Sequence, residues 1–91
     1  MEKADIGLYS WILRGSQRRK VLKVLDKPKT PTIVQEETQI KVSNVSDVLR
    51  EMEDKGLTKC LNPKDKKGRL YTLTKKGFKV REGVAGYGKV S

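Results

Sequence analysis

The sequence predicts a mainly α-helical domain carrying one small β-hairpin, an α+β fold built as a single unit. Three observations lead there. Apolar residues recur at helical spacing in separate stretches between residues 16 and 55. Two short apolar-rich runs, residues 57–61 and 69–73, flank a basic turn bounded by Asn62-Pro63 and Gly68. The 91 residues are 35% hydrophobic, which supplies one compact core and none for a second, effector-binding domain.

Residues 1–15 form an N-terminal arm. Leu8, Tyr9, Trp11, Ile12 and Leu13 make it the most apolar stretch, and it fits alternation and helical period equally badly. Two readings of it stand side by side: cover for the helix that follows, or a dimer contact, since an aromatic-aliphatic cluster at a surface often marks an interface. The main unit spans residues 16–80. Ser16 is expected to cap a helix from Gln17 to Asp26 with Val21, Leu22 and Leu25 inward, ended by Lys27-Pro28. Thr30-Pro31 reads as an N-cap followed by Pro at the first helical position, opening a short helix to Thr38 with Ile33 and Val34 inward. After a tight connection, Ser43 is expected to cap a longer helix to about Lys55, and Gly56 supplies a left-handed stop.

That longer helix is the most informative element. Val45, Val48, Leu49 and Met52 form one apolar stripe, while Ser43, Asp47, Arg50 and Asp54 lie opposite, flanked by Asn44, Ser46 and Glu51. Leu57–Leu61 and Arg69–Leu73 read as the hairpin strands, and Thr74 as the cap of a last short helix around Phe78. Tyr71 and Phe78 are assigned to the core, and Cys60 is read as a small strand residue. Gly83, Gly86 and Gly88 mark residues 81–91 as a loose Gly-rich tail.

Charge narrows the function. Lys and Arg number 21 against 11 Asp and Glu, leaving +10 at pH 7 and pointing to a polyanionic partner. The excess sits in two blocks, net +6 over residues 14–29 and +8 over residues 57–91, around a middle of −3. With one Cys and no His there is no intrachain disulfide, no Cys/His zinc site and no Ser-His-Asp triad. The expectation is a protein that is not an enzyme and takes no metal or cofactor; Gly83 to Gly88 lacks the Lys-Ser/Thr ending of a phosphate loop. The longest apolar stretch, Ile6–Leu13, is too short for a membrane span, and the acidic start does not read as a signal peptide, so a cytoplasmic protein is expected. Aromatics are only 5% and are not interleaved with the basic runs, which disfavours a single-strand RNA platform.

Helix, short helix, tight turn, longer helix and basic hairpin is the order of a winged helix-turn-helix. Thr-Pro-Thr-Ile-Val-Gln-Glu-Glu-Thr (30–38) and Val-Ser-Asn-Val-Ser-Asp-Val-Leu-Arg-Glu-Met (42–52) resemble the paired helices of small winged-helix transcription regulators of archaea and bacteria. Asp-Lys-Gly-Leu-Thr-Lys (54–59) resembles their exit into the wing, and Gly-Arg-Leu-Tyr-Thr-Leu-Thr-Lys-Lys-Gly (68–77) the second wing strand and the cap after it. The match covers about residues 16–80 and is nearest to archaeal regulators of the MarR/ArsR kind without an added sensor domain.

The resemblance implies a sequence-specific regulator that binds double-stranded DNA, expected to act as a homodimer on a pseudo-palindromic site. A recognition helix over residues 43–55 would enter the major groove with Lys41, Ser43, Asn44, Ser46, Asp47 and Arg50 toward the bases. Thr30 and Thr32 would meet a phosphate at the N-terminus of the preceding helix. The wing, residues 62–69, would place Lys64, Lys66, Lys67 and Arg69 on the backbone or in the minor groove. Arg18, Arg19 and Lys20 would add auxiliary attraction. Asp47 and Arg50 have a plainer reading as an exposed i,i+3 ion pair, and the wing lysines as a solvated turn. Two alternatives to sequence-specific binding stay open: a winged-helix module that binds protein in a transcription or replication assembly, suggested by the acidic run from Glu51 to Asp54, and nonspecific or structured-RNA binding.

Overall fold

The computed structural model describes the backbone of residues 3–90 and the side chains of residues 7–85. Met1, Glu2 and Ser91, at the ends of the expected arm and tail, lie outside the described residues. The elements run α1 (Lys3–Arg14), α2 (Ser16–Val24), α3 (Pro31–Thr38), α4 (Val42–Asp54), β1 (Thr58–Cys60), β2 (Tyr71–Leu73) and α5 (Lys75–Val90). The helices enclose one core, and β1 and β2 form an antiparallel hairpin with Cys60 opposite Tyr71 and Thr58 opposite Leu73. This is the expected winged helix-turn-helix.

Both ends of the chain are more helical than the sequence reading held. The arm is α1, whose Ile12 is fully buried among Val21, Leu22 and Leu25 of the next segment. The stretch expected as a loose tail continues α5 as far as Val90. Gly77, Val80 and Val84 set the inward spacing of α5. At Gly77 α5 passes directly against the backbone of residue 57: a Cβ there would collide with the Leu57 carbonyl. Phe78, one residue along, therefore points off that stripe and is 38% exposed, not a core residue as expected.

Capping divides the same way. Thr30 caps α3 through its hydroxyl, which accepts from the Ile33 N–H at 3.3 Å, with Pro31 at the first position. Thr74 Oγ1 accepts from the Gly77 N–H at 3.1 Å at the start of α5. Ser16 and Ser43 do not cap. The first intrahelical bonds are accepted by the Gly15 carbonyl (from Arg19, 3.1 Å) and the Lys41 carbonyl (from Val45, 3.0 Å). Gly15 and Lys41 are therefore the N-cap residues, neither with a side-chain cap bond, and both serines lie inside the first turn.

Gly56 ends α4 as expected. Its φ is +77°, its N–H donates to the Glu53 carbonyl at 2.9 Å, and the Leu57 N–H donates to the Met52 carbonyl at 2.8 Å. The two bonds are a Schellman closure, which satisfies the last carbonyls of the helix. The stripe Val45, Val48, Leu49 and Met52 is buried throughout. On α3 only Val34 is buried; Ile33, expected inward, is 42% exposed, because an eight-residue helix on the surface buries a single face.

Candidate nucleic-acid interface

Three pieces of backbone converge on one concave face. The N-terminal turn of α3, the middle of α4 and the wing loop enclose a cleft of about 330 Å³ lined by Thr30, Pro31, Thr32, Ser46, Arg50, Lys66, Gly68, Arg69 and Tyr71. Six of the residues singled out from sequence line it together: Thr30, Thr32, Ser46, Arg50, Lys66 and Arg69. It offers hydroxyls, an α3 N-terminus and three cations. That combination accepts anionic oxygens, since N–H groups and the helix dipole favour negative charge there.

The remaining candidates lie around this cleft or away from it. Ser43, Asn44 and Asp47 are exposed along α4. Lys64 and Lys67 are exposed on the wing loop without lining the cleft. Lys41 borders a separate depression with Gln35, Glu36 and Gln39. Arg19 and Lys20 are exposed on α2. Arg18 is committed inward: it donates to the Trp11 carbonyl at 2.8 Å, lies 4.3 Å from the Trp11 ring centroid and stands 3.8 Å from Glu51. Trp11 also lies 4.8 Å from the Lys55 ammonium.

On α4, Arg50 Nη2 donates to Asp47 Oδ1 at 3.1 Å and Nε to the Ser46 carbonyl at 3.4 Å. Both side chains of the pair are well exposed, at 63% and 65%. An exposed pair of this kind contributes about 0.2–1 kcal/mol, so it aims the guanidinium without holding it against a better acceptor.

The wing is an ordered loop. Asn62 fastens it: Oδ1 accepts from the Leu70 N–H at 2.7 Å, and Nδ2 donates to Asp65 Oδ2 at 2.9 Å and to the Gly68 carbonyl at 3.1 Å. Arg69 adds two bonds, Nε to the Asp65 carbonyl at 3.1 Å and Nη2 to the Pro63 carbonyl at 3.0 Å. Arg69 thus spends part of its donor set on the loop, whereas Lys64, Lys66 and Lys67 join no ion pair among the described residues. Asn62 was visible in sequence only as a strand breaker beside Pro63.

In the sequence Lys29 is one cation of the basic block over residues 14–29, yet its side chain is only 6% exposed. Its ammonium contacts Glu37 Oε1 at 2.6 Å and Asp26 Oδ1 at 3.1 Å. The hydrogen bond to Glu37 raises the Lys29 pKa against the opposing cost of burial, and the hydrogen bond from Lys29 lowers that of Asp26. The spacing from Asp26 to Lys29 was legible; the burial of Lys29 was not, because the strand it pairs with through its backbone begins 42 positions downstream.

No helix among the described residues is long and apolar enough to cross a membrane. No family model matches the sequence. No curated protein matches it either. Solved structures do. A mutant of ZitR from Lactococcus lactis is similar with a TM-score of 0.72 and 22% identity, over 82% of this chain and 53% of that one. A MarR family transcriptional regulator from Silicibacter pomeroyi DSS-3 gives 0.72 at 16% identity, over 98% and 67%. Wild-type MarR of E. coli in its apo form gives 0.71 at 24% identity, over 92% and 67%. The likeness is one of fold, the winged helix of MarR-family regulators, and the chain spans only 53–67% of the length of these three structures.

Proposed function

We propose that this chain binds double-stranded DNA sequence-specifically and regulates transcription. The observation that carries the reading is the convergence of Thr30, Thr32, Ser46, Arg50, Lys66 and Arg69 on one cleft, in a chain of net charge +10. Phosphate contacts supply affinity and base contacts supply specificity. Thr30, Thr32 and the wing lysines have the chemistry of the first kind. Ser43, Asn44, Ser46, Asp47 and Arg50 have that of the second, with Arg50 fit to meet guanine O6 and N7. Lys41 at the N-cap of α4 and the exposed Arg19 and Lys20 extend the positive surface; Arg18, turned toward Trp11 and Glu51, contributes to it mainly at long range.

In this reading the protein works in the cytoplasm as a homodimer, its relationship lying with MarR/ArsR-like archaeal regulators. Two copies would occupy two half-sites, because one module of this size buries little DNA surface and pairing multiplies affinity. Solved structures with the same fold that are named as transcription regulators support the reading. The acidic residues Glu51, Glu53 and Asp54 lie in the last turns of α4, beyond the cleft-lining Ser46 and Arg50.

Fluorescence anisotropy with a duplex selected by the protein from a random pool, against a scrambled duplex, tests it. The expected result is a preference of about 10³ or more. Equal, steeply salt-dependent binding to both duplexes would instead mean a nonspecific nucleic-acid binder, and no binding at low salt a protein-interaction module.

A further inference from the structure

We propose that Lys29 is a positioning residue for the wing, a clamp that sets the wing's angle to the recognition helix; this rests on the DNA-binding reading above. Lys29 ties three parts of the molecule at one point. Its N–H donates to the Tyr71 carbonyl and its carbonyl accepts from the Tyr71 N–H, both at 2.9 Å, adding residue 29 as a third, one-residue edge to the hairpin. Its ammonium meets Glu37 in the last turn of α3 and Asp26 in the turn after α2.

Each partner bears on the cleft. Tyr71 begins the wing strand β2 and lines the cleft itself, and Thr30, next to Lys29, is the N-cap of α3 and lines the same cleft. A two-stranded hairpin alone holds a poor orientation in water. Here the strand that carries the wing is pinned by backbone to residue 29, and residue 29 is pinned by its side chain to α3. The ammonium is shielded and already matched by two carboxylates, so Lys29 offers little charge to DNA. Its effect on binding runs through geometry.

Charge and geometry predict opposite signs for one variant, which makes the test sharp. Glu37→Gln removes a negative charge from a DNA-binding protein, so electrostatics alone predicts tighter binding, whereas a weakened clamp predicts looser binding. The full chain is titrated by anisotropy with a duplex it has itself selected, comparing Glu37→Gln, Lys29→Met, a wing variant with Lys64, Lys66 and Lys67 all changed to Ala, and the combinations. We expect Glu37→Gln to weaken binding severalfold and Lys29→Met about tenfold, the latter equivalent to 1.4 kcal/mol. Lys29→Met combined with the wing variant should bind within about twofold of the wing variant alone, since residues acting through one another are not additive. Tighter binding by Glu37→Gln, or a Lys29→Met loss that multiplies fully onto the wing variant, would overturn the proposal while leaving the DNA reading intact. Failure of the unmodified protein to select any duplex would overturn both. Glu37 is a surface residue, so its variant keeps the question answerable should Lys29→Met fail to fold.

Discussion

Asp47 holds the Arg50 guanidinium at 3.1 Å across one turn of α4, and both side chains stay open to solvent. Such a pair costs little to break and leaves Nη1 and the outer edge of Arg50 uncommitted. Arg50→Ala should lose about 1–3 kcal/mol of discrimination at one base pair of the selected site, with a smaller effect on a scrambled duplex. Asp47→Ala removes the negative charge beside Arg50, so under the DNA-binding proposal it should strengthen binding to scrambled DNA and narrow the preference for the selected duplex. Anisotropy with single base-pair changes measures both, and an Arg50→Ala loss uniform across sequences would count against base reading.

The wing lysines predict a change in salt dependence. Each phosphate that is no longer neutralised should make the log–log slope of affinity against salt shallower by about 0.9. Changing Lys64, Lys66 and Lys67 together to Ala should therefore flatten the slope by about 2–3 if all three meet phosphates. An unchanged slope would return these residues to the plainer role of keeping an exposed turn solvated.

The Lys29 cluster predicts a stability profile with two shoulders. Lys29 has its pKa raised above the ordinary 10.5, chiefly by its hydrogen bond to Glu37, so its contribution is complete below 10.5 and lost as pH rises through the folded value. Asp26 has its pKa lowered beneath the ordinary 3.8, chiefly by its hydrogen bond from Lys29, so its contribution is complete above 3.8 and lost as pH falls through the folded value. Thermal melts across pH should show both shoulders in the unmodified chain. In Lys29→Met the alkaline one should diminish and the acid one shift toward the ordinary carboxylate range; an unaltered profile would refute the assignment.

Gly77 and Gly83 predict unequal costs for the same substitution. An alanine methyl at 77 meets the Leu57 carbonyl, which is backbone, while one at 83 meets the Tyr9 ring, which can swing aside. Gly77→Ala should destabilise by about 1–3 kcal/mol or somewhat more, a Tm loss of about 4–8 °C per kcal/mol for a domain of this size. Gly83→Ala should cost less and perturb the Tyr9 hydroxyl bond to the Lys79 carbonyl. Equal melting temperatures for the two variants would contradict the packing described for α5.

Much of this architecture was legible because local chemistry and tertiary structure agree along the middle of the chain. Thr30-Pro31, Gly56 and the stripe from Val45 to Met52 each state a helix boundary or a buried face within a few residues. Six of the nine cleft-lining residues, Thr30, Thr32, Ser46, Arg50, Lys66 and Arg69, were legible as neighbours of one face from the helix-turn-helix order, whereas Tyr71 read only as core. Elsewhere the decisive contact is remote. Phe78 looks like core until Gly77 is seen against Leu57, and Lys29 looks like free charge until Tyr71, Glu37 and Asp26 surround it. Ser16 and Ser43 failed as caps because a serine just inside a helix start has the same sequence signature as one at its edge. The arm concealed its helix for another reason: it presents apolar residues to α2 and α5 together, which blurs the single-face periodicity that betrays an amphipathic helix.

Trp11 gives the molecule a built-in optical gauge. It is the sole tryptophan in the sequence, and it belongs to the α1 face touched by Arg18 and Lys55, outside the cleft lining. Its ultraviolet emission therefore belongs to the junction of α1 with α2 and the end of α4. A ligand that merely occupies the cleft should leave that emission quiet, whereas an event that lifts α1 from its seat should change both its colour and its intensity, with no dye attached.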